Sequence, residues 1–352
     1  MKALWSRATV VAAAVPLALG LLSVPSPAHA GAGATVGGAT CTEVRLAVAM
    51  AEGGPVNATL VGNLCRPKSG PVTTVDVLVH GGMYNREYWN WPVAPQVHSF
   101  VQRTVTAGRA AFYYDRFGVG QSTRPVKGRD ADFTADVFGL HQVIQAMRGS
   151  YAQVNVIGHS LGSVISIDEA ARWNDADRLV ITGLTHGHGL GFITLPTRIW
   201  TAFLDPLFRD VLDLRDGGYV TTLPGQRRPL FYSGSADPDV IAYDEAHKDV
   251  MTLSQAEQAI LALTQLPLLN RSRNVTRPVL LVNGVLDYPF CGVDVPCTSD
   301  GVLRAYEAPY FTGAPSFTVR VVPGTGHNLP LHPSAATSFG FIDSWLRTTP
   351  VP

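Results

Sequence analysis

The chain has 352 residues, 46% of them hydrophobic and 15% charged, with 27 basic and 27 acidic side chains and a formal net charge of zero. That balance, without a dense basic stretch, excludes a nucleic-acid-binding surface of the usual electrostatic kind. There is no internal repeat, and no low-complexity segment beyond the Ala/Gly-rich residues 31–39.

The first residues read as a targeting segment rather than as part of a fold. Lys2 and Arg7 supply a positive start, Ala8 to Leu22 is an apolar run, and Ala28-His29-Ala30 is a small-x-small cleavage pattern. The expectation is a secretory signal peptide over residues 1–30, cut after Ala30, and a secreted product. The apolar run is too short for a comfortable membrane span, and no later apolar run is long enough, so no stable membrane anchor is expected. The remaining chain, roughly 320 residues, suffices for one large α/β domain with an insertion or for two small domains.

In an exported chain the four cysteines are expected as disulfides. Four cysteines allow three pairings, of which Cys41 with Cys65 and Cys291 with Cys297 is the most local. Loop closure would make the first bridge worth on the order of 3 kcal/mol. No CxxC spacing points to a metal.

Residues Cys41 to Ala51 and Pro55 to Cys65 form two strand-like runs around the turn signal Glu52-Gly53-Gly54-Pro55, which predicts an antiparallel hairpin at a sheet edge. Val75 to Val79 is a short apolar strand ending in His80-Gly81-Gly82-Met83-Tyr84. Ala110 to Tyr114 is another, ending in Asp115-Arg116-Phe117-Gly118-Val119-Gly120-Gln121-Ser122. A helix is predicted over Phe133 to Arg148, and strands over Arg178 to Gly183, Pro278 to Asn283 and Phe317 to Val322. A helix around Arg304 and Tyr306 lies between the last two, and Ser334 to Leu346 closes the chain as an amphipathic helix. Strands alternating with helices predict an α/β fold with a mainly parallel sheet covered on both faces, and function at the strands' carboxyl ends.

One region breaks the alternation. From about His186 to Asn274 there is no good sheet strand; Pro196 to Arg209, Asp237 to Val250 and Ser254 to Leu266 read as helices, the last opening with the capping-box pattern Ser254-x-x-Glu257. Residues 186–275 are therefore expected to form a helical lid inserted into a core of residues 31–185 and 276–352. Trp200, Phe203, Leu204, Leu207 and Phe208 would either pack the lid's own interior or line a substrate cavity.

The stretch around which the chain is organised is Val154 to Ser163. It opens as a β-branched strand and continues into a helical pattern from Leu161 to Arg172, with Gly158-His159-Ser160-Leu161-Gly162 between. So sharp a turn strains the apex residue, and glycines two places to either side remove the side chains that would collide. Ser160 is thereby presented above the sheet, beside the Leu161 amide and a helix N-terminus that favours developing negative charge. A serine hydroxyl needs a base, and the base an orienting acid. Asp287 follows the strand ending in Asn283-Gly284, and His327 follows the last strand through Pro323-Gly324-Thr325-Gly326.

Four motifs in order, His80-Gly81-Gly82, Asp115-Arg116-x-Gly-x-Gly-x-Ser, Gly158-His159-Ser160-Leu161-Gly162 and Gly326-His327, make the chain resemble the α/β-hydrolase fold family from about Val72 to Leu346. The resemblance implies Ser160 as nucleophile, His327 as general base and acid, and Asp287 as the orienting carboxylate. It implies an oxyanion hole of the Leu161 amide with that of Gly82 or Met83. Asp294 is a rival acid and His332 a rival base, the latter framed by Pro330 and Pro333 at a helix start. His186 and His188 are expected to line the pocket or sit in a turn rather than to bind metal; His80 and Asp115 are read as structural.

The function this implies is a secreted serine esterase with no cofactor and no metal, acting on a hydrophobic small-molecule or lipid-like ester. The alternatives are an amidase, lactonase or peptidase, a cofactor-free lyase or acyltransferase using the same triad, and, last, a non-catalytic binding protein. Serine rather than aspartate at position 160 argues against epoxide or haloalkane hydrolysis. Oligomeric state is not legible in the sequence.

Overall fold

The structure, a computed structural model, describes residues 37–351. The signal-peptide expectation for residues 1–30 lies outside the described residues. Strands β1 (Ala39–Ala49), β2 (Val56–Pro67), β3 (Thr74–Val79), β4 (Ala110–Tyr114), β5 (Gln153–His159), β6 (Arg178–Thr182), β10 (Val279–Gly284) and β11 (Phe317–Val322) build one eight-stranded sheet, in the order β1-β2-β4-β3-β5-β6-β10-β11. β1, β2 and β4 pair antiparallel, and every pairing from β4 to β11 is parallel. The predicted hairpin is the sheet's edge, and Cys41 and Cys65 sit opposite each other in it, joined by a disulfide; Cys291 and Cys297 form the second.

The central strands are buried along their length, so they read in sequence as continuous apolar runs rather than as alternations. Two short helices, α1 (Pro95–His98) and α2 (Phe100–Thr106), precede β4; α3 (Phe133–Arg148) and α4 (Leu161–Trp173) flank β5 in sequence. α3 opens on Asp132, whose side chain accepts the Ala135 amide, an N-cap of the usual kind. One large core joins both faces of the sheet, with Phe100, Phe112, Leu140, Val156 and Ile165 fully buried.

Between β6 and β10 the chain leaves this sheet. It forms α5 (Leu190–Thr194), β7 (Ile199–Thr201), β8 (Tyr219–Thr222), α6 (Arg227–Phe231), α7 (Pro238–Ala246), β9 (Met251–Thr252) and α8 (Leu253–Leu263). Three sequence expectations are corrected here. The region does hold strands, and β7, β8 and β9 form a small antiparallel sheet of their own. Pro196 to Arg209 is not a helix, because the bulky, β-branched run Ile199-Trp200-Thr201 pairs with Thr222, Thr221 and Val220. The capping box of α8 is Thr252 with Gln255, two residues earlier than the one read from sequence. After β10 come α9 (Asp300–Glu307) and the closing helix α10 (Ala335–Thr348). Among the described residues no helix is long and apolar enough to cross a membrane.

Candidate active site

Ser160 stands between β5 and α4 with φ 53° and ψ −121°, a conformation costly for any residue with a side chain. The surroundings hold it there. Its amide donates to the Thr182 carbonyl over 2.9 Å, and its carbonyl accepts the amides of Ser163 (2.8 Å) and Val164 (3.2 Å), opening the helix. The flanking glycines are sterically required. A Cβ on Gly158 would lie 2.6 Å from the Gly162 carbonyl oxygen, and one on Gly162 would lie 2.2 Å from that of Val79.

His327 is brought back from β11 by a turn in which Gly324 takes a left-handed φ of 64°. Its Nδ1 lies 3.1 and 3.0 Å from the two carboxylate oxygens of Asp287, which is fully buried. This geometry assigns the proton to Nδ1 and leaves Nε2 as the acceptor nitrogen. The loops that carry Asp287 and His327 pack backbone on backbone: a Cβ on Gly284 would meet the Thr325 carbonyl oxygen at 2.3 Å. The imidazole is enclosed by the rings of His159, Phe231 and Phe290, at 4.8, 5.4 and 5.6 Å between centroids.

Ser160, Leu161, Gly82, Met83 and His327 all border one recess, with Asp287 behind the imidazole. The recess has about 750 Å³ of free space, part of it open to solvent. Its remaining wall is apolar. Val164 of α4 contributes from the sheet side, and Phe192, Leu195, Met251, Ala259, Ile260 and Leu263 come from the segment between β6 and β10. Trp200, Phe203, Leu204, Leu207 and Phe208 do not border it. Phe208 packs with Ala202, Leu214, Tyr219 and Val250 in a small separate core, while Leu204 and Leu207 are exposed.

The rival residues are engaged elsewhere. Asp294 pairs with His188 at 2.7 Å, half in solvent. His186 is buried between Glu307 (2.7 Å) and the Ser272 hydroxyl (2.9 Å), stacked on Tyr310, so neither histidine borders the recess. His332 accepts the amides of Ser233 (3.0 Å) and Gly326 (3.1 Å) at Nε2 and donates from Nδ1 to the Asn328 carbonyl (2.8 Å); it pins the turn that carries His327. His80 accepts the Arg116 amide, and Asp115 accepts the amides of Arg86 and Gln121, both structural roles as expected.

Sequence reasoning missed the polar scaffold behind the site. Arg227 of α6, fully buried, pairs with Asp244 of α7 at 2.8 Å, lies 4.1 Å over the Tyr84 ring and donates to the Met83 carbonyl over 3.2 Å. The Asp249 amide donates to that same carbonyl (3.1 Å), so Met83, at φ 61°, is held from two sides. Burial raises the Tyr84 pKa well above its ordinary value, keeping the hydroxyl protonated to donate to Asp244. No local pattern announces these residues; only Asn328, whose side-chain amide donates to the Tyr84 hydroxyl, adjoins a residue that the motifs single out, His327.

The comparisons agree with this architecture. No curated protein matches the chain by sequence. An esterase from Thermogutta terrifontis superposes with a TM-score of 0.55 and 16% identity, over 87% of this chain and 98% of that one. A soluble variant of the monoglyceride lipase from Saccharomyces cerevisiae does so with 0.58 and 13%, over 82% and 92%. Proline iminopeptidase from Mycobacterium smegmatis gives 0.53 and 16%, over 86% and 98%. At these identities the likeness is one of fold. Sequence carries the family: residues 77–338, from within β3 to within α10, match the profile described as the alpha/beta hydrolase family. The mainly parallel sheet is thus matched by fold and residues 77–338 by sequence, and the chain belongs to the alpha/beta hydrolase family.

Proposed function

We propose that the chain is an exported serine hydrolase that cleaves carboxylic esters with an apolar acyl part. The observation that carries this reading is that His327, held by Asp287 at 3.0 and 3.1 Å, borders the same recess as Ser160 on its strained turn. His327 Nε2 takes the Ser160 proton as Oγ attacks the ester carbonyl. The oxyanion is stabilised by the Leu161 amide and that of Gly82 or Met83. Collapse of the tetrahedral adduct expels the alcohol, which takes the proton from Nε2 and leaves an acyl-serine. Water, deprotonated by His327, then releases the acid and restores Ser160.

The apolar wall supports an aliphatic acyl group, and residues 186–275 would act as the cap that supplies it. The two disulfides and the N-terminal sequence pattern support export. The test is a fluorophosphonate probe with p-nitrophenyl esters of graded chain length. Labelling of the wild type but not of Ser160→Ala, with turnover preferring a medium acyl chain over acetate, is expected. Labelling that survives Ser160→Ala would overturn the nucleophile assignment.

A further inference from the structure

Nine residues beyond Ser160 along α4, about 14 Å by helix rise, lies Glu169, its side chain 1% exposed. Neither of its carboxylate oxygens has a hydrogen-bond donor among the described residues. The carboxylate lies beside two other ligand-type side chains. His141 of α3 places Nδ1 3.6 Å from Glu169 Oε1 and 2.8 Å from Oδ2 of Asp175, just past the end of α4. The three ligand atoms all lie within 4.8 Å of one another.

A buried carboxylate without donors is costly unless something neutralises it. Here the surroundings also orient its neighbours. Trp173 stacks on the His141 ring at 4.3 Å between centroids, and Gln145 Nε2 donates to Asp175 over 2.5 Å. With side chains 20% and 15% exposed, His141 and Asp175 leave the cluster open to solvent on one side.

We propose that His141, Glu169 and Asp175 form a Zn²⁺ site that clamps α3 to α4. Tetrahedral zinc with bonds of about 2.0–2.1 Å sets its ligand atoms roughly 3.4 Å apart, a spacing the observed separations bracket. One imidazole nitrogen with two carboxylates suits zinc, whereas calcium needs six to eight oxygens. A solvent molecule would take the fourth position. The cation fastens the far end of the helix that begins at Ser160, so its effect is on stability rather than on chemistry. The proposal does not depend on the ester reading.

The experiment uses the purified full chain, stripped with a chelator and dialysed against micromolar Zn²⁺, with bound metal measured by mass spectrometry and thermal unfolding followed in parallel. One zinc per chain and a melting temperature raised by several degrees are expected for the wild type. His141→Gln and Glu169→Gln should each lose stoichiometric zinc and the zinc-dependent rise. Both should still melt cooperatively in chelator, which separates loss of the site from loss of the fold. Absence of stoichiometric zinc in the wild type overturns the proposal, as does one zinc retained by both variants. Uptake of calcium in place of zinc overturns it too. So does a Glu169→Gln chain stabilised in chelator while the wild type takes up nothing, which would identify a proton shared by the two carboxylates.

Discussion

The side-chain amide of Asn328 donates to the Tyr84 hydroxyl over 2.5 Å, tying the residue after His327 to the residue after Met83. The same hydroxyl donates to Asp244 over 2.9 Å, and Asp244 also takes Arg227 (2.8 Å) and the Tyr232 hydroxyl (2.7 Å). The loop that carries His327, the loop of Gly82 and Met83 and the segment inserted between β6 and β10 thus share one buried polar chain. Removing its middle member loosens two parts of the site at once while leaving the substrate wall in place. Tyr84→Phe is expected to lower kcat for an ester by about tenfold, or about 1.4 kcal/mol of barrier, with KM nearly unchanged. It should also cost about 1–3 kcal/mol of stability from the unpaired groups left behind. Steady-state kinetics with denaturant unfolding decide the matter. A destabilised variant with wild-type kcat would assign the chain a structural role only.

The turn at Ser160 gives a sharper contrast. Its φ of 53° with ψ −121° is strained for serine and for alanine but open to glycine. Such strain is worth about 1–3 kcal/mol, partly offset by the entropy glycine loses on folding. Ser160→Gly is therefore expected to be about 1 kcal/mol more stable than Ser160→Ala in urea unfolding, both being inactive. Equal stabilities would mean that the turn stores no strain. At Gly162 the sign reverses: a methyl group 2.2 Å from the Val79 carbonyl oxygen has nowhere to go, and Gly162→Ala should not accumulate as folded protein.

The inner strands of the sheet were legible because they are buried on both faces. Ala110–Tyr114 begins and ends where its apolar run does, the edge strand Phe317–Val322 spans the residues predicted although it is only partly buried, and α3 spans the Phe133–Arg148 predicted. The serine turn was legible because its glycines answer to local sterics, and Asp287 and His327 because each follows a strand's carboxyl end. What escaped depends on distant partners. Ile199-Trp200-Thr201 is too short for a period to declare itself, and its pairing with β8 decides its state. Nothing within a few residues of Arg227 or Asp244 signals that they meet beneath Tyr84. His332 looked like a residue between prolines at a helix start, yet its ring bridges Ser233 and Gly326 across 99 and 6 positions of sequence.

Acid should weaken the fold through its buried histidines. Burial, with Arg116 for His80 and His327 for His159, pushes both pKa values well below the ordinary 6.5. Between those lowered values and 6.5 the unfolded chain binds more protons than the folded one, so stability rises with pH there. It is complete above 6.5 and is lost as pH falls, at about 1.4 kcal/mol per pH unit for each histidine. Asp115 and Asp136, pushed up to about 6 by burial against the pull of Arg86 and Arg116, act in the opposite sense at pH values between 3.8 and about 6. A comparison of variants therefore isolates the histidine. His159→Phe keeps an aromatic ring against Tyr88, stacked at 4.5 Å in the wild type, and cannot titrate. Whatever its cost at pH 7.5, that cost should shrink by about 1.4 kcal/mol at pH 5.5. Parallel urea-unfolding curves at the two pH values would show that His159 is not held neutral.

The two disulfides are expected to separate stability from activity. Cys291–Cys297 closes a short loop four residues after Asp287; the Cys291 amide donates to the Asp287 carbonyl over 2.8 Å, and Asn283 reaches the Cys291 sulfur at 3.3 Å. The bridge therefore bears on the carboxylate that orients His327. Replacing both cysteines with serine is expected to cost roughly 2 kcal/mol, to lower the temperature at which ester turnover is lost by a few degrees, and to reduce kcat at temperatures where the chain is still folded. Cys41–Cys65 joins the edge hairpin, whose strands lie away from the recess in the sheet order. Its removal should cost on the order of 3 kcal/mol and leave kcat unchanged up to the lowered melting point. If the Cys291→Ser, Cys297→Ser chain instead keeps both its turnover and its thermal profile, the acid loop is held by its backbone hydrogen bonds alone and the bridge has no part in positioning Asp287.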